Sequence, residues 1–187
     1  MVLKLAYKWR GFLTAPPLVF SAIWFQGEYE QDLLTWPLGV LLFFCGWGLR
    51  IWAQQHLGYR LRIQRVLTTS GPYAFVRNPI YIGNALLILG MVVTSKVLWM
   101  LPLTLLWCAA IYAAVVRHEE RRLAERYGPE YLAYTATVPR WVPRLASPCQ
   151  GVRRPCSLRR ALLAELHVVL FIVPFVLKDL VIAPFIE

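Results

Sequence analysis

Residues Gly71–Asn84 read GPYAFVRNPIYIGN, and how this stretch is read decides the fold. Gly71-Pro72 is a turn signal. Asn78-Pro79 is a second one, because the proline ring disfavours helical geometry at the residue before it. Pro79 itself suits the first turn of a helix, where a missing N–H costs nothing. A helix therefore begins near Ile80, and the chain that follows is apolar over Ile80–Val93 and Val97–Val116. Only Thr94, Ser95 and Lys96 separate these runs, so they form an antiparallel helical hairpin, read here as two membrane spans. Tyr81, Gly83 and Asn84 then occupy the first turns of a membrane helix, beside backbone N–H groups able to hold a carboxylate. Gly83 lets a ligand or a neighbouring helix approach. Taken alone, a proline-started span flanked by Arg77, Tyr73 and Tyr81 also matches ordinary interfacial anchoring.

Beyond the hairpin, Arg117–Arg144 reads RHEERRLAERYGPEYLAYTATVPRWVPR. Arg117, Glu119 and Glu120 sit where the fourth span leaves the bilayer. Arg121 and Glu125 are an i,i+4 pair on a solvated face. Gly128-Pro129 ends one helix and starts another. Tyr127, Tyr131 and Tyr134, with Leu123 and Leu132, make an aromatic amphipathic stretch. It reads either as a helix lying in the interface or as the lid of a pocket entered from the lipid side.

The 187 residues are 58% hydrophobic and 16% charged, with mean hydropathy +0.51. Soluble domains carry roughly 25% charged residues. The deficit points to one membrane domain over residues 1–187. Twenty Lys+Arg against ten Asp+Glu give a formal net charge of +10. These cations fall between apolar runs, which favours positive-inside topology and anionic lipid headgroups over nucleic acid as partner. Cys45 and Cys108 lie in apolar runs and Cys149 and Cys156 in a basic loop, with no C-x-x-C pair, so neither a metal site nor a disulfide framework is expected.

The flanks complete a topology. Residues 11–25 form a first span interrupted by Pro16-Pro17, read as retained rather than as a cleaved signal. Glu28, Glu30 and Asp32 follow, then a second span over residues 36–57. Gly39, Gly46 and Gly48 thin one side of it for close helix approach. Arg50 near its end is read as snorkelling to headgroups. The motif region covers residues 71–144, with the hairpin over 80–116. A basic loop (145–160) leads to a last apolar segment (162–185), kinked near Pro174. Glu165 and His167 at its start could reach the pocket, as intramembrane ionisable residues often do, but their place near the cytoplasmic end favours an interfacial reading. Lys and Arg fill alternate loops, so five spans with a cytoplasmic N-terminus fit, and both unusual stretches face the cytoplasm. The expected fold is an all-α membrane bundle without strands or repeats.

Three linked pieces, GPYAFVRNPIYIG, EERRLAERYGPEYLAY and VPRWVP, resemble the isoprenylcysteine carboxyl methyltransferase family and the related phospholipid methyltransferases. The family patterns are approximately G-P-Y-x-x-x-R-H-P-x-Y-x-G, E-E-x-x-L-x-x-x-F/Y-G-x-x-Y-x-x-Y and V-P-x-x-x-P. Order, spacing and the intervening hairpin agree from about Trp36 to Arg144. The first span and the tail lie outside the resemblance.

The resemblance implies an integral membrane methyltransferase that uses S-adenosylmethionine without a Rossmann domain. It places Tyr73, Arg77, Asn78, Pro79, Tyr81, Gly83 and Asn84 at the cofactor, with Glu119 and Glu120 closing the site. Arg117 and Glu120 are the implied catalytic pair, Arg117 orienting the acceptor and Glu120 fixing Arg117 or meeting the cofactor's amino group. The family has histidine where this chain has Asn78. Asparagine can hydrogen-bond but cannot take up a proton near neutral pH. The implied acceptor is lipophilic: a prenylated cysteine carboxylate first, a phospholipid amine or a small lipophilic amine or thiol otherwise. A sterol-type membrane reductase with a related R-x-P-x-Y-x-G element, and a non-enzymatic membrane protein, are the competing readings.

Overall fold

The computed structural model describes residues 7–24, 32–62, 66–145 and 157–178. Helix takes up 81% of them and no strand occurs among them, so the all-α expectation holds. In chain order the elements are α1 (Arg10–Leu13), α2 (Pro16–Ile23), α3 (Asp32–Arg62), a 3-10 turn (Gly71–Ala74), α4 (Pro79–Thr94), α5 (Met100–Tyr127), α6 (Pro129–Thr137) and α7 (Leu158–Glu165). A 3-10 stretch (Leu166–Ile172) and α8 (Val173–Leu177) follow.

Three helical stretches are long and apolar enough to cross a membrane: Leu33–Gly58, Met100–Tyr127 and Leu158–Leu177. Pro79–Thr94 is a shorter apolar helix. The expected first span is two short pieces, because the helix is interrupted at Thr14-Ala15 just before the proline pair. At 28 residues α5 is roughly 42 Å long, more than a hydrocarbon core of about 30 Å. Its last turns therefore project from the bilayer, and they carry Glu119 and Glu120. Leu103, Leu105, Leu106 and Trp107 on its earlier turns are exposed, as lipid-facing side chains are. Most of the basic loop, residues 179–185 at the end of the last apolar segment, and Cys149, Cys156, Glu28, Glu30 and Arg65 lie outside the described residues.

α4 is the central helix, with ten buried residues from Pro79 to Thr94. Its main neighbour is α3, which lies antiparallel against it. The approach is backbone to backbone. A Cβ on Gly46 would sit 2.6 Å from the Gly83 carbonyl oxygen, and one on Gly90 would sit 2.7 Å from that of Gly39. The two pairs, 39 with 90 and 46 with 83, are one heptad apart on each helix, as the small-residue reading of α3 expects. Gly48 faces open space and takes no part.

The far end of the bundle is tied by Lys178. It is 2% exposed and donates to the backbone oxygens of Ser21 and Ser95 at 3.2 and 3.1 Å, joining the last segment, α2 and the hairpin turn.

Candidate active site

The two unusual stretches meet at the opposite end. Gly71 has φ +62°, and a Cβ there would lie 2.4 Å from the His56 ring, so the turn needs glycine on both counts. The chain then runs along residues 138–144, which follow α6. The Arg77 amide donates to the Pro139 oxygen at 2.9 Å, and the Arg144 amide to the Phe75 oxygen at 3.0 Å. Asn78 Nδ2 donates to the Arg140 oxygen at 3.3 Å, and the Tyr134 hydroxyl to the Tyr73 oxygen at 2.8 Å. VPRWVPR is thus a strap laid against GPYAFVRN. Asn78 spends its amide on holding it. The helix start is less open than expected, because the Tyr81 and Ile82 amides both donate to the Asn78 oxygen.

Below the strap lies a cavity of about 430 Å³. Tyr73, Arg77, Asn78, Pro79, Tyr81, Asn84 and Glu119 line it, which brings together seven of the ten residues singled out in the sequence. Tyr131 and Tyr134 from α6 form part of its wall and are buried at 3% and 6% exposure, in keeping with the lid reading. They pack with Leu67 and Val138 in a small apolar cluster that includes Leu123 and Tyr127. The Tyr81 hydroxyl donates to Glu119 Oε2 at 2.8 Å.

The other three residues sit elsewhere. Gly83 packs on α3, where a Cβ would strike Arg50 Cγ and the Gly46 carbonyl. Glu120 lies behind the wall, not in it. It accepts two hydrogen bonds from Arg140, at 3.1 and 2.5 Å, and pairs with Arg77 Nη1 at 3.3 Å. Arg117 is exposed and outside the cavity lining. The expected Glu120–Arg117 partnership is therefore replaced by Glu120 bridging Arg77 and Arg140. The reason is helical: Tyr112, Val116, Glu119 and Leu123 share the inward stripe of α5, and Arg117 turns a further 100° away from Val116.

Several wall residues carried no such role in the sequence. Tyr7 reaches in from the N-terminal segment, its ring 5.5 Å from that of His118 and under the Arg122 guanidinium. Arg50, Gln54 and Leu57 come from α3, and Leu67 and Thr68 from the extended segment before Gly71. Arg50 does not snorkel. Its Nε and Nη2 both meet Glu165 Oε2, at 2.7 and 2.6 Å, and its Nη1 donates to Asn84 Oδ1. A polar pair 115 residues apart has no local signal in the chain.

The electrostatics follow from this pairing. Glu120 is shared by two guanidiniums, and its contact raises the Arg140 pKa further. Burial first, and then the Glu120 charge, push the Tyr131 phenol up to about 12 against the lowering effect of Arg77. Arg77 Nε is buried without a hydrogen-bond partner among the described residues. Among the described residues no group of three or more His, Cys, Asp or Glu could hold a metal ion.

The profile of the phospholipid methyltransferase family matches residues 34–130, from the start of α3 through the first residues of α6. The chain belongs to that family, integral membrane methyltransferases related to the isoprenylcysteine carboxyl methyltransferases. It is similar to the cobalt-zinc-cadmium resistance protein CzcN of Cupriavidus metallidurans, with 34% identity over 142 residues, 74% of this chain and 63% of that protein. It is also similar to the nickel-cobalt-cadmium resistance protein NccN of Alcaligenes xylosoxydans xylosoxydans, with 30% identity over 109 residues, 58% and 48% of the two chains. The chain thus spans about half to two thirds of the length of these relatives. No solved structure matches it. Family and apolar helices together define an integral membrane domain of the phospholipid methyltransferase family.

Proposed function

We propose that the chain is an S-adenosylmethionine-dependent methyltransferase for a lipophilic acceptor, with the 430 Å³ cavity as its active site. What carries this reading is the convergence of Arg77 and Glu119, one from each unusual stretch, on a single wall within the family-matched segment. The residues fit the cofactor. Arg77 brings a buried Nε without a hydrogen-bond partner among the described residues, suited to a carboxylate, while Glu119 accepts from the Tyr81 hydroxyl and is suited to an ammonium. Tyr73, Tyr81, Tyr131 and Tyr134 offer ring faces that favour a sulfonium charge. Bound there, S-adenosylmethionine supplies a methyl group to a nucleophile by in-line displacement.

The protein's share is placement, which can account for much of the rate of such a step. Glu120 and Arg140 fix the Arg77 guanidinium, and the strap fixes Arg140. Buried Tyr131 and Tyr134 shield one side of the cavity. Among the described residues no histidine lines the cavity, and Asn78 cannot act as a base. An acceptor already ionised as a carboxylate needs none, which favours carboxyl O-methylation of the isoprenylcysteine type. The family match favours a second reading, N-methylation of a phospholipid amine. There Glu119, the one carboxylate among the described residues that line the cavity, would take the proton. The relatives are named for metal resistance. A wall of guanidinium, phenol and amide groups around the single described carboxylate Glu119 is a poor donor set for such ions, so we read any shared role as acting through a methylated lipid. Anionic headgroups are the proposed electrostatic partners, with the site and N-terminus on the cytoplasmic side.

The test is transfer of labelled methyl groups by the protein in nanodiscs to a panel of lipophilic acids, amines and thiols. Transfer to one class, with thermal stabilisation by S-adenosylhomocysteine, is expected. Stabilisation by a nicotinamide dinucleotide instead would favour the reductase, and no response to either would favour the non-enzymatic reading.

A further inference from the structure

We infer that Arg50, held by Glu165, is a second anion-recognising pole of the cavity and binds an acidic oxygen, carboxylate or phosphate, on the methyl acceptor. The inference deepens the methyltransferase reading, because it assigns the acceptor's end of the same cavity. Depth separates the two poles. Arg77 precedes α4, whereas Arg50 meets Asn84, six residues beyond Asn78, or about 9 Å further along the helix axis into the membrane. The upper pole holds the residues that the cofactor requires. The lower one faces the apolar bundle, where a lipid-borne group arrives.

Arg50 is prepared for this. A guanidinium has five N–H donors. Glu165 accepts from Nε and holds Nη2 in an ion pair, Asn84 accepts from Nη1, and among the described residues the other N–H donors on Nη1 and Nη2 have no recorded hydrogen bond. Glu165 is 1% exposed, and the Trp47 indole donates to its backbone oxygen at 3.1 Å. A carboxylate so deeply buried cannot swing away, so the guanidinium plane is fixed. Arg50 itself keeps 14% exposure and lines the cavity. Glu165 lies on α7, outside the family-matched residues 34–130, so here the tail completes a site that the matched segment alone leaves unbraced. Arg50 would touch the acceptor, and Glu165 is a positioning residue.

A pair that only staples α7 to α3 is the competing role, and the experiment separates the two. Dodecyl phosphate, dodecanoate and dodecanol are titrated into the full chain in nanodiscs, with S-adenosylhomocysteine as a separate ligand. Wild type should bind one or both oxyanions about tenfold more tightly than dodecanol, the scale of one charge-assisted hydrogen bond. Phosphate against carboxylate tells a phospholipid from a free or prenyl-linked acid. Arg50→Met with Glu165→Met replaces a buried pair by apolar side chains, a change that commonly preserves folding. It should erase the preference while leaving S-adenosylhomocysteine affinity within about twofold. The exchange Arg50→Glu with Glu165→Arg rebuilds the staple and should regain thermal stability but not the oxyanion preference. A preference kept in the double-Met variant, restored by the exchange, or absent from wild type overturns the inference. Loss of S-adenosylhomocysteine binding in wild type with the oxyanion preference intact would overturn the methyltransferase reading alone.

Discussion

Glu119 and Glu120 are adjacent carboxylates on one helix with different work. Glu119 faces the cavity and contacts the Tyr81 hydroxyl, whereas Glu120 turns behind the wall to two arginines. Glu119→Gln should weaken S-adenosylhomocysteine binding about tenfold, as measured by calorimetry, by removing the charge opposite the ligand's ammonium. Glu120→Ala should instead lower thermal stability by about 3 kcal/mol, because Arg77 and Arg140 lose their shared carboxylate. Arg117→Ala should leave methyl transfer within about twofold of wild type, since an exposed arginine off the cavity stripe contributes little. Tyr131 gives a pH signature. Its raised pKa means that the folded state prefers the neutral phenol. The stability this contributes is full below the ordinary value of 10.0 and lost as pH rises through about 12. The fall in melting temperature over that window should be smaller in Tyr131→Phe. At this scale the sequence was informative about which residues gather, because motif spacing and helix periodicity are local properties. It was silent on Arg50–Glu165 and Glu120–Arg140, whose partners are brought together only by tertiary packing.

Between elements, the contact that positions the site is α3 on α4. Gly83 packs against Gly46 and against Arg50, which lines the cavity, and Gly39 and Gly90 sit one heptad away. Gly90→Ala would press a methyl group on backbone atoms of Gly39 and Phe43 at 2.7 Å, which cannot yield as a side-chain tip can. A loss of about 1–3 kcal/mol in chemical denaturation is expected, the usual cost of overpacking. Gly48→Ala, with nothing within 4 Å, should be neutral and serves as the control. The hairpin, the proline-started α4 and the Gly128-Pro129 break were legible because glycine and proline act on their own backbone. The break near Pro16-Pro17 was legible as a kink, but not as two separate short helices. The strap was legible only as a motif, since extended segments paired by two backbone bonds leave no periodicity in the chain.

Across the whole molecule, one end of the bundle is closed by Lys178 on backbone oxygens and the other holds a cavity framed by two stretches from either side of the hairpin. Composition alone pointed to a membrane bundle, because the missing charge and the clustered cations are global properties. The shape of the cavity was not readable, since its walls come from five separate parts of the chain, from Tyr7 to Tyr134. Calorimetric titration of S-adenosylhomocysteine into wild-type, Arg77→Ala and Glu119→Gln proteins in nanodiscs tests most directly whether this cavity is the methyl-donor site. Saturable binding to wild type, weakened by about tenfold or more in each variant while folding is retained, is the expected result. No binding to wild type, or equal binding to all three, would contradict it.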